Sequence, residues 1–358
     1  MKKTGMILFI LLLMLSLSTG CSNQENSITE SNNTTDNNLE QISNKASQSD
    51  ADMFTDRDYR TAYDENESIL IHLNGDSATA SSNSVKISGS TVQITEEATY
   101  IISGTLNNGI ILVDAEDTAK LQIVLNGVSI TNESSAALYI LSADKVFVTL
   151  AEGTENTLAN GGSFIAIDEN NIDAVVFSKQ DLTFNGTGNL IITSPNGNGI
   201  VGKDDLVFTG GNYTINTSSH GIEANDSVRI TGTTQITVDA GKDGIHCENN
   251  DDTSLGFIYI SAGTLNIEAE GDGISASAYM QIVDGTFSVL AGGGSENGSS
   301  QSSNTWGAFM GGDMPPGQQS SSNTATTEDS TSMKGIKTSG TLNIFSGSFQ
   351  INSSDDCI

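Results

Sequence analysis

One short phrase recurs along this chain: a polar residue, a glycine, an isoleucine. It reads Asn198-Gly199-Ile200, His220-Gly221-Ile222, Asp243-Gly244-Ile245, Asp272-Gly273-Ile274 and Lys334-Gly335-Ile336, with Asp173-Ala174-Val175 and Asp356-Cys357-Ile358 as variants. Three places after the polar residue stand Val176, Val201, Glu223, His246, Ser275 and Lys337. If the copies stack in register, Glu223, Asp243 and Asp272 converge on one face. Glu248 then joins from the adjoining loop, and Asp355 and Asp356 lie near the far end. Carboxylates about 5 Å apart repel one another unless a cation neutralises them. A hard ion with oxygen ligands in irregular loops is Ca²⁺ rather than Mg²⁺. Glu223, Asp243, Glu248, Asp272, Asp355 and Asp356 are therefore the residues expected to hold calcium. The competing reading is a solvated acidic face with no ion. The Asn249–Asp252 run and the Asp204-Asp205 turn are further candidates, and neither has the spaced EF-hand pattern.

Other chemistry finds little support. His72, His220 and His246 do not form a zinc-protease pattern, and Cys247 and Cys357 have no zinc spacing. The two cysteines fall in different columns of the repeat, so they read as small buried hydrophobes rather than a disulfide. Nucleophile-elbow, P-loop and dinucleotide fingerprints are missing from any strand-to-helix context, and no catalytic residue is assigned. With 14 Lys and Arg against 44 Asp and Glu, the net charge is −30, which repels phosphates and argues against nucleic-acid binding. The expected state is a monomer.

The elements that must position these acids follow from the spacing. The middle residues of the phrase lie 25, 22, 23, 29, 62 and 22 apart, so the base unit is about 22 residues. The 29 holds an extra loop at 248–256 and the 62 a long insertion. Within each unit, two alternating runs flank a glycine, as in LVFTGGNYTI (206–215), IYISAGTLNI (258–267) and LNIFSGSFQI (342–351). Period-2 alternation with β-branched residues marks short strands. Upstream runs carry the same pattern, so the coils begin near residue 68. A propeller blade needs four strands in about 40 residues, and the leucine-rich pattern is absent. The predicted fold is all-β, a parallel β-helix (solenoid) of about 22-residue coils. The recurring isoleucine would form an inward ladder, and the glycine would supply a corner. The pattern does not encode handedness, although right-handed crossovers dominate parallel sheets.

The flanks are different in kind. Residues 1–20 read as a signal peptide: Lys2 and Lys3, then an apolar run of 12 residues at 6–17, too short to span a bilayer. Leu17-Ser18-Thr19-Gly20-Cys21 resembles a lipobox, so Cys21 is the expected lipid attachment, with a plain secreted protein as the alternative. The expected location is the cell surface, membrane-anchored by that lipid. Residues 21–52 are polar and read as a disordered linker before a domain at 53–358. The Gly- and Ser-rich insertion 292–333 carries Trp306, the only Trp, with Phe309 nearby. Trp306 either stacks on a sugar ring or pins the loop.

At this point the sequence resembles a known family. The run 173–215, GKDGIHCEN (241–249) and KGIKTSGTLNIFSGSFQINSSDD (334–356) are similar to a bacterial family of surface carbohydrate-binding domains first described in clostridia, and 61–77 and 126–140 fit it as well. The resemblance covers about residues 53 to 358. It implies a right-handed parallel β-helix related to polysaccharide lyases, bound calcium, and binding to cellulose and to pectin (polygalacturonate). It carries the calcium role onto Asp243 and Asp272, with Asp355 and Asp356 as the doubled form. His220 and Asn198 depart from it, and the chain stops at Ile358 inside a motif that the family continues.

Three functions then compete. Non-catalytic polysaccharide binding is favoured. A pectate-lyase-like enzyme would need a base beside calcium, and Lys179, Lys203, Lys242, Lys334 and Lys337 are available without one being singled out by spacing. The third reading is a structural spacer or adhesin.

Overall fold

The computed structural model describes residues 48–298 and 332–358. The signal segment, Cys21 and the linker up to residue 47 lie outside the described residues, as do Trp306, Phe309 and most of the insertion.

The described chain is an all-β, β-helix-like solenoid of stacked parallel strands. In the central part, each strand pairs in parallel with the strand three elements later. Asn198–Gly202 pairs with Ile222–Ala224, Asp205–Phe208 with Ser227–Ile230, and Asn212–Thr217 with Gln235–Ala240. Three columns result, one in a 10-stranded sheet and two in an 18-stranded sheet. The long strand Lys120–Asn132 belongs to both columns of the larger sheet. Antiparallel pairs occur at the N-terminal end, between Ile69–Gly75 and Ala78–Ala80 and between Val85–Ser88 and Thr91–Ile94.

The isoleucine ladder predicted from the repeat is present. Ile200, Ile222, Ile245, Ile274 and Ile336 are register partners in turn, and all are fully buried. Each such side chain contributes about 1.5–3 kcal/mol by leaving water, so a thin core repeated on every rung suffices. Aromatic rings stack in the same way: Phe184 on Phe208 at 5.1 Å, and Phe287 on Phe349 at 4.7 Å.

The glycine of the phrase has a different job from the expected corner. None of Gly221, Gly244, Gly273 and Gly335 has left-handed backbone. A Cβ there would collide with a branched inward side chain on the third strand of the turn: Val238, Ile267, Val289 and Ile351 respectively. Glycine lets backbone and core side chain approach across a narrow interior. Left-handed backbone falls instead at glycines before the third strand, such as Gly263 at φ 123°.

One copy is out of step. Ala174, not Asp173, pairs with Asn198, and Val176, not Val175, pairs with Ile200. Asp173 therefore lies one position outside the column, although its carbonyl accepts the Asn198 amide at 2.8 Å.

Ordered chain begins ahead of residue 53. The segment from Gln48, with the short helix Asp50–Met53, crosses the outward face of the larger sheet. Gln48 exchanges hydrogen bonds with Gln281, Asp50 accepts from the Tyr259 hydroxyl, and Arg229 donates to the Met53 carbonyl. Asp58 anchors the far end: Oδ1 accepts from Thr183 at 2.6 Å and meets Lys145 Nζ at 3.0 Å, and Oδ2 accepts from Thr55. Burial pushes the Asp58 carboxyl up, but these hydrogen bonds and the Lys145 charge hold it below its ordinary range.

Candidate functional site

The polar residues before the glycines form a continuous edge of the smaller sheet. From Asn198 to Asp272, each side chain accepts the backbone N–H of its equivalent one rung on. Asn198 Oδ1 takes the His220 amide at 2.9 Å, and His220 Nδ1 takes Asp243 at 3.3 Å. Asp243 Oδ1 takes Asp272 at 2.8 Å, and Asp272 Oδ1 takes Lys334 at 2.7 Å. An acceptor is what the position requires, and Asn, His and Asp all supply one. This ladder uses one oxygen of each aspartate and leaves the other for a second partner.

At Asp272 that partner is a lysine. Its Oδ2 lies 3.0 Å from Lys337 Nζ, with the aspartate side chain only 3% exposed. Beyond it, Lys334 Nζ lies 3.2 Å from Asp355 and 2.7 Å from Asp356. The hydrogen bond from Lys334 holds Asp355 below the usual carboxylate range.

At Asp243 the partners are imidazoles. His246 Nδ1 lies 2.8 Å from Asp243 Oδ2, and His220 Nδ1 lies 3.7 Å from the same oxygen. The two rings stack with centroids 4.7 Å apart, and His246 Nε2 is 3.3 Å from Glu248 Oε2. Burial pushes His246 down, but Asp243 and Glu248 outweigh it and hold it above its ordinary value. Burial and the neighbouring His246 hold His220 below. Burial raises Asp243, and the hydrogen bonds from His246 and the Asp272 amide bring it below the usual range.

Glu223 joins the first rung. It accepts from Asn198 Nδ2 at 3.1 Å and lies 3.7 Å from Lys203 Nζ. Asp173 nearby is pushed up by burial and then by Glu223, and its Oδ1 is buried without a hydrogen-bond partner. On another edge, burial and Asp226 raise Asp204, and burial and Asp205 push Asp181 up to about 6.

The six carboxylates expected to hold calcium are thus divided. Register places Glu223 beside His246, and Asp243 and Asp272 are hydrogen-bonded neighbours along the edge. Glu248 reaches the group through His246, and Asp355 and Asp356 meet on Lys334. They do not form one oxygen cage, because Lys203, His220, His246, Lys334 and Lys337 are interleaved with them. As placed, this set does not fit a calcium ion: the free oxygens of Asp243 and Asp272 already face a base. Among the described residues, the group of three His, Cys, Asp or Glu side chains whose ligand atoms lie within 4.8 Å of one another is His220, Asp243 and His246. Sequence reasoning passed over the two histidines as a pair because they lack local motif spacing. Their signal was positional: His220 stands in the polar column, and His246 stands beside Glu223.

Beside this edge lies an open groove of about 820 Å³, lined by His220, Lys242, Asp243, Asp239, Glu268 and Glu270 among others. Asp239 and Glu268 also line a second trough of about 410 Å³, so the two adjoin at these side chains. One register column of the outward face under that trough is uncharged and polar: Thr214, Thr237, Asn266, Ser288 and Gln350. Gly292 and Gly293, where the insertion leaves the solenoid, form part of the groove wall.

A family model described as carbohydrate-binding domain-containing protein matches residues 88–358. A protein of that description from Acetivibrio thermocellus is 36% identical over 211 residues, which is 58% of this chain and 73% of that one. A solved structure, the gadolinium derivative of a polysaccharide lyase-like protein from C. thermocellum, superposes with a TM-score of 0.63 at 31% identity, covering 79% of this chain and 100% of that one. The chain belongs to the carbohydrate-binding domain-containing protein family.

Proposed function

We propose that this chain binds an extended plant-wall polysaccharide, of cellulose or polygalacturonate type, without cleaving it. The observation that carries the reading is the adjoining groove and trough that share Asp239 and Glu268 as lining. A linear sugar chain needs a long, open, polar track rather than a closed pocket. Hydroxyl, amide and carboxylate side chains can accept or donate along it, each bond contributing about 0.5–1.5 kcal/mol. The repeat supports this by presenting equivalent groups on every rung. In this reading the fold is a right-handed β-helix of about 22-residue coils, the usual sense of parallel crossovers. The protein works at the cell surface, tethered through Cys21.

Calcium enters as a bridge and not as a fixed occupant of the polar column. Asp239 and Glu268 are register partners on adjacent strands, and neither makes an ion pair with a base among the described residues. A polyuronate would meet them with like charge, and a hard divalent ion between the two relieves that repulsion.

Retention on insoluble cellulose and on immobilised polygalacturonate tests the reading. Binding to at least one is expected. Chelator should release the protein from the uronate only, and Asp239→Ala with Glu268→Ala should weaken retention about tenfold or more. No retention on either matrix would end it. A second reading, lyase activity, is favoured by Lys242, which lines the same groove and could take a proton beside a bound ion. Unsaturated product from polygalacturonate, lost in Lys242→Ala, would establish the lyase in place of the binder.

A further inference from the structure

We infer that His220, Asp243 and His246 form a site for a d-block dication of zinc type, distinct from the hard-ion chemistry expected of the acids. The ligand atoms sit on two consecutive rungs and converge on one oxygen. Asp243 Oδ2 is 2.8 Å from His246 Nδ1 and 3.7 Å from His220 Nδ1. Zinc bonds of about 2.0–2.1 Å at a tetrahedral angle place ligand atoms about 3.4 Å apart, between these two separations. Small side-chain movements would therefore admit an ion.

The supports are already built. The Asp272 amide fixes Asp243 through Oδ1, leaving Oδ2 aimed at the imidazoles. Glu248 accepts from His246 Nε2, the carboxylate–histidine pairing that orients a metal-bound ring. His220 gives up only the long 3.3 Å bond to the Asp243 amide. Solvent reaches the group from two sides, because His220 and Asp243 line the large groove and His246 and Glu248 line a separate recess of about 240 Å³. Two nitrogens and one carboxylate oxygen suit zinc and its neighbours; calcium takes oxygen ligands. Entry of the ion displaces the Nδ1 proton of His246, so binding releases protons at mildly acidic pH.

Titration calorimetry of the folded chain with Zn²⁺, in a large excess of Ca²⁺, tests the site. One equivalent of saturable binding is expected, with visible d–d absorption when Co²⁺ replaces Zn²⁺. His220→Asn keeps a ladder acceptor, as Asn198 does one rung earlier, and His246→Gln leaves the ladder untouched. Each should weaken zinc binding tenfold or more in a metal-free protein that keeps its folded circular-dichroism spectrum, and Glu248→Gln should weaken it by about tenfold. Absence of saturable zinc binding, binding as tight as the parent's in both histidine variants, or displacement of zinc by calcium would overturn the assignment. The isotherm contains no polysaccharide, so a failure of the proposed sugar binding leaves it intact.

Discussion

Asp243 and Asp272 sit on consecutive rungs and each gives one oxygen to the next rung's amide. They differ in what meets the other oxygen: stacked imidazoles at Asp243, the Lys337 ammonium at Asp272. A lysine supplies a permanent, internal cation at neutral pH. Imidazoles supply a charge that depends on protonation, or lone pairs that can hold a metal. The same structural position is thus closed to an added ion on one rung and open on the next.

The comparison can be broken most directly at Lys337. Lys337→Met leaves the Asp272 carboxylate buried without its counter-charge and is expected to cost about 2–4 kcal/mol, read from denaturant unfolding. Calcium should then raise the melting temperature of the variant and leave the parent unchanged. An equal response in both would mean that lysine is not standing in a cation's place.

The ladder role is separated from the ion role at Asp243. Asp243→Ala removes the acceptor for the Asp272 amide and should cost about 1–3 kcal/mol. Asp243→Asn keeps that acceptor and should recover most of the loss while still lowering zinc affinity. If the two variants are equally unstable, the ladder bond is not the main contribution.

Asp181 supplies a contrast, a carboxylate with inadequate neutralisation. Burial and Asp205 push it up to about 6, and Lys145 is 3.9 Å away. The folded state then binds more protons than the unfolded state between pH 3.8 and about 6. Stability falls as pH rises through that window, and the cost is complete above it. Asp181→Asn should therefore stabilise the protein at pH 7 by about 1–2 kcal/mol after screening, and flatten the slope between about pH 4 and 6. A destabilised variant at pH 7 would contradict the sign.

The smallest effect is expected at Lys334. Its partners Asp355 and Asp356 are exposed, so Lys334→Gln should leave the melting temperature nearly unchanged. The Asp355 carboxyl should return toward its ordinary pKa, which NMR titration would detect.

Much of this was legible in the sequence for physical reasons. Ile200, Ile222, Ile245, Ile274 and Ile336 were readable as one ladder because strand side chains alternate with a strict period of 2. The Asp173 copy was not, because Val175 and Val176 are both apolar and either fits an inward position. The segment from Gln48 to Asp52 read as linker because it has little apolar content. Hydrogen bonds between Gln48 and Gln281 and between Asp50 and Tyr259 hold it against the sheet, and Met53 and Phe54 just beyond it bury against Val207, Phe257, Tyr259 and Tyr279.

The sequence by itself determined the strands, the stacking order of the repeats and the column of polar side chains, since all three follow from local periodicity. Only the tertiary structure decided which charge each carboxylate meets. Lysine and histidine side chains reach several ångströms from their backbone positions, so a column of residue types fixes neighbours but not the atoms that touch. That last step turned an expected cluster of acids into a lysine-closed rung beside a histidine-lined one.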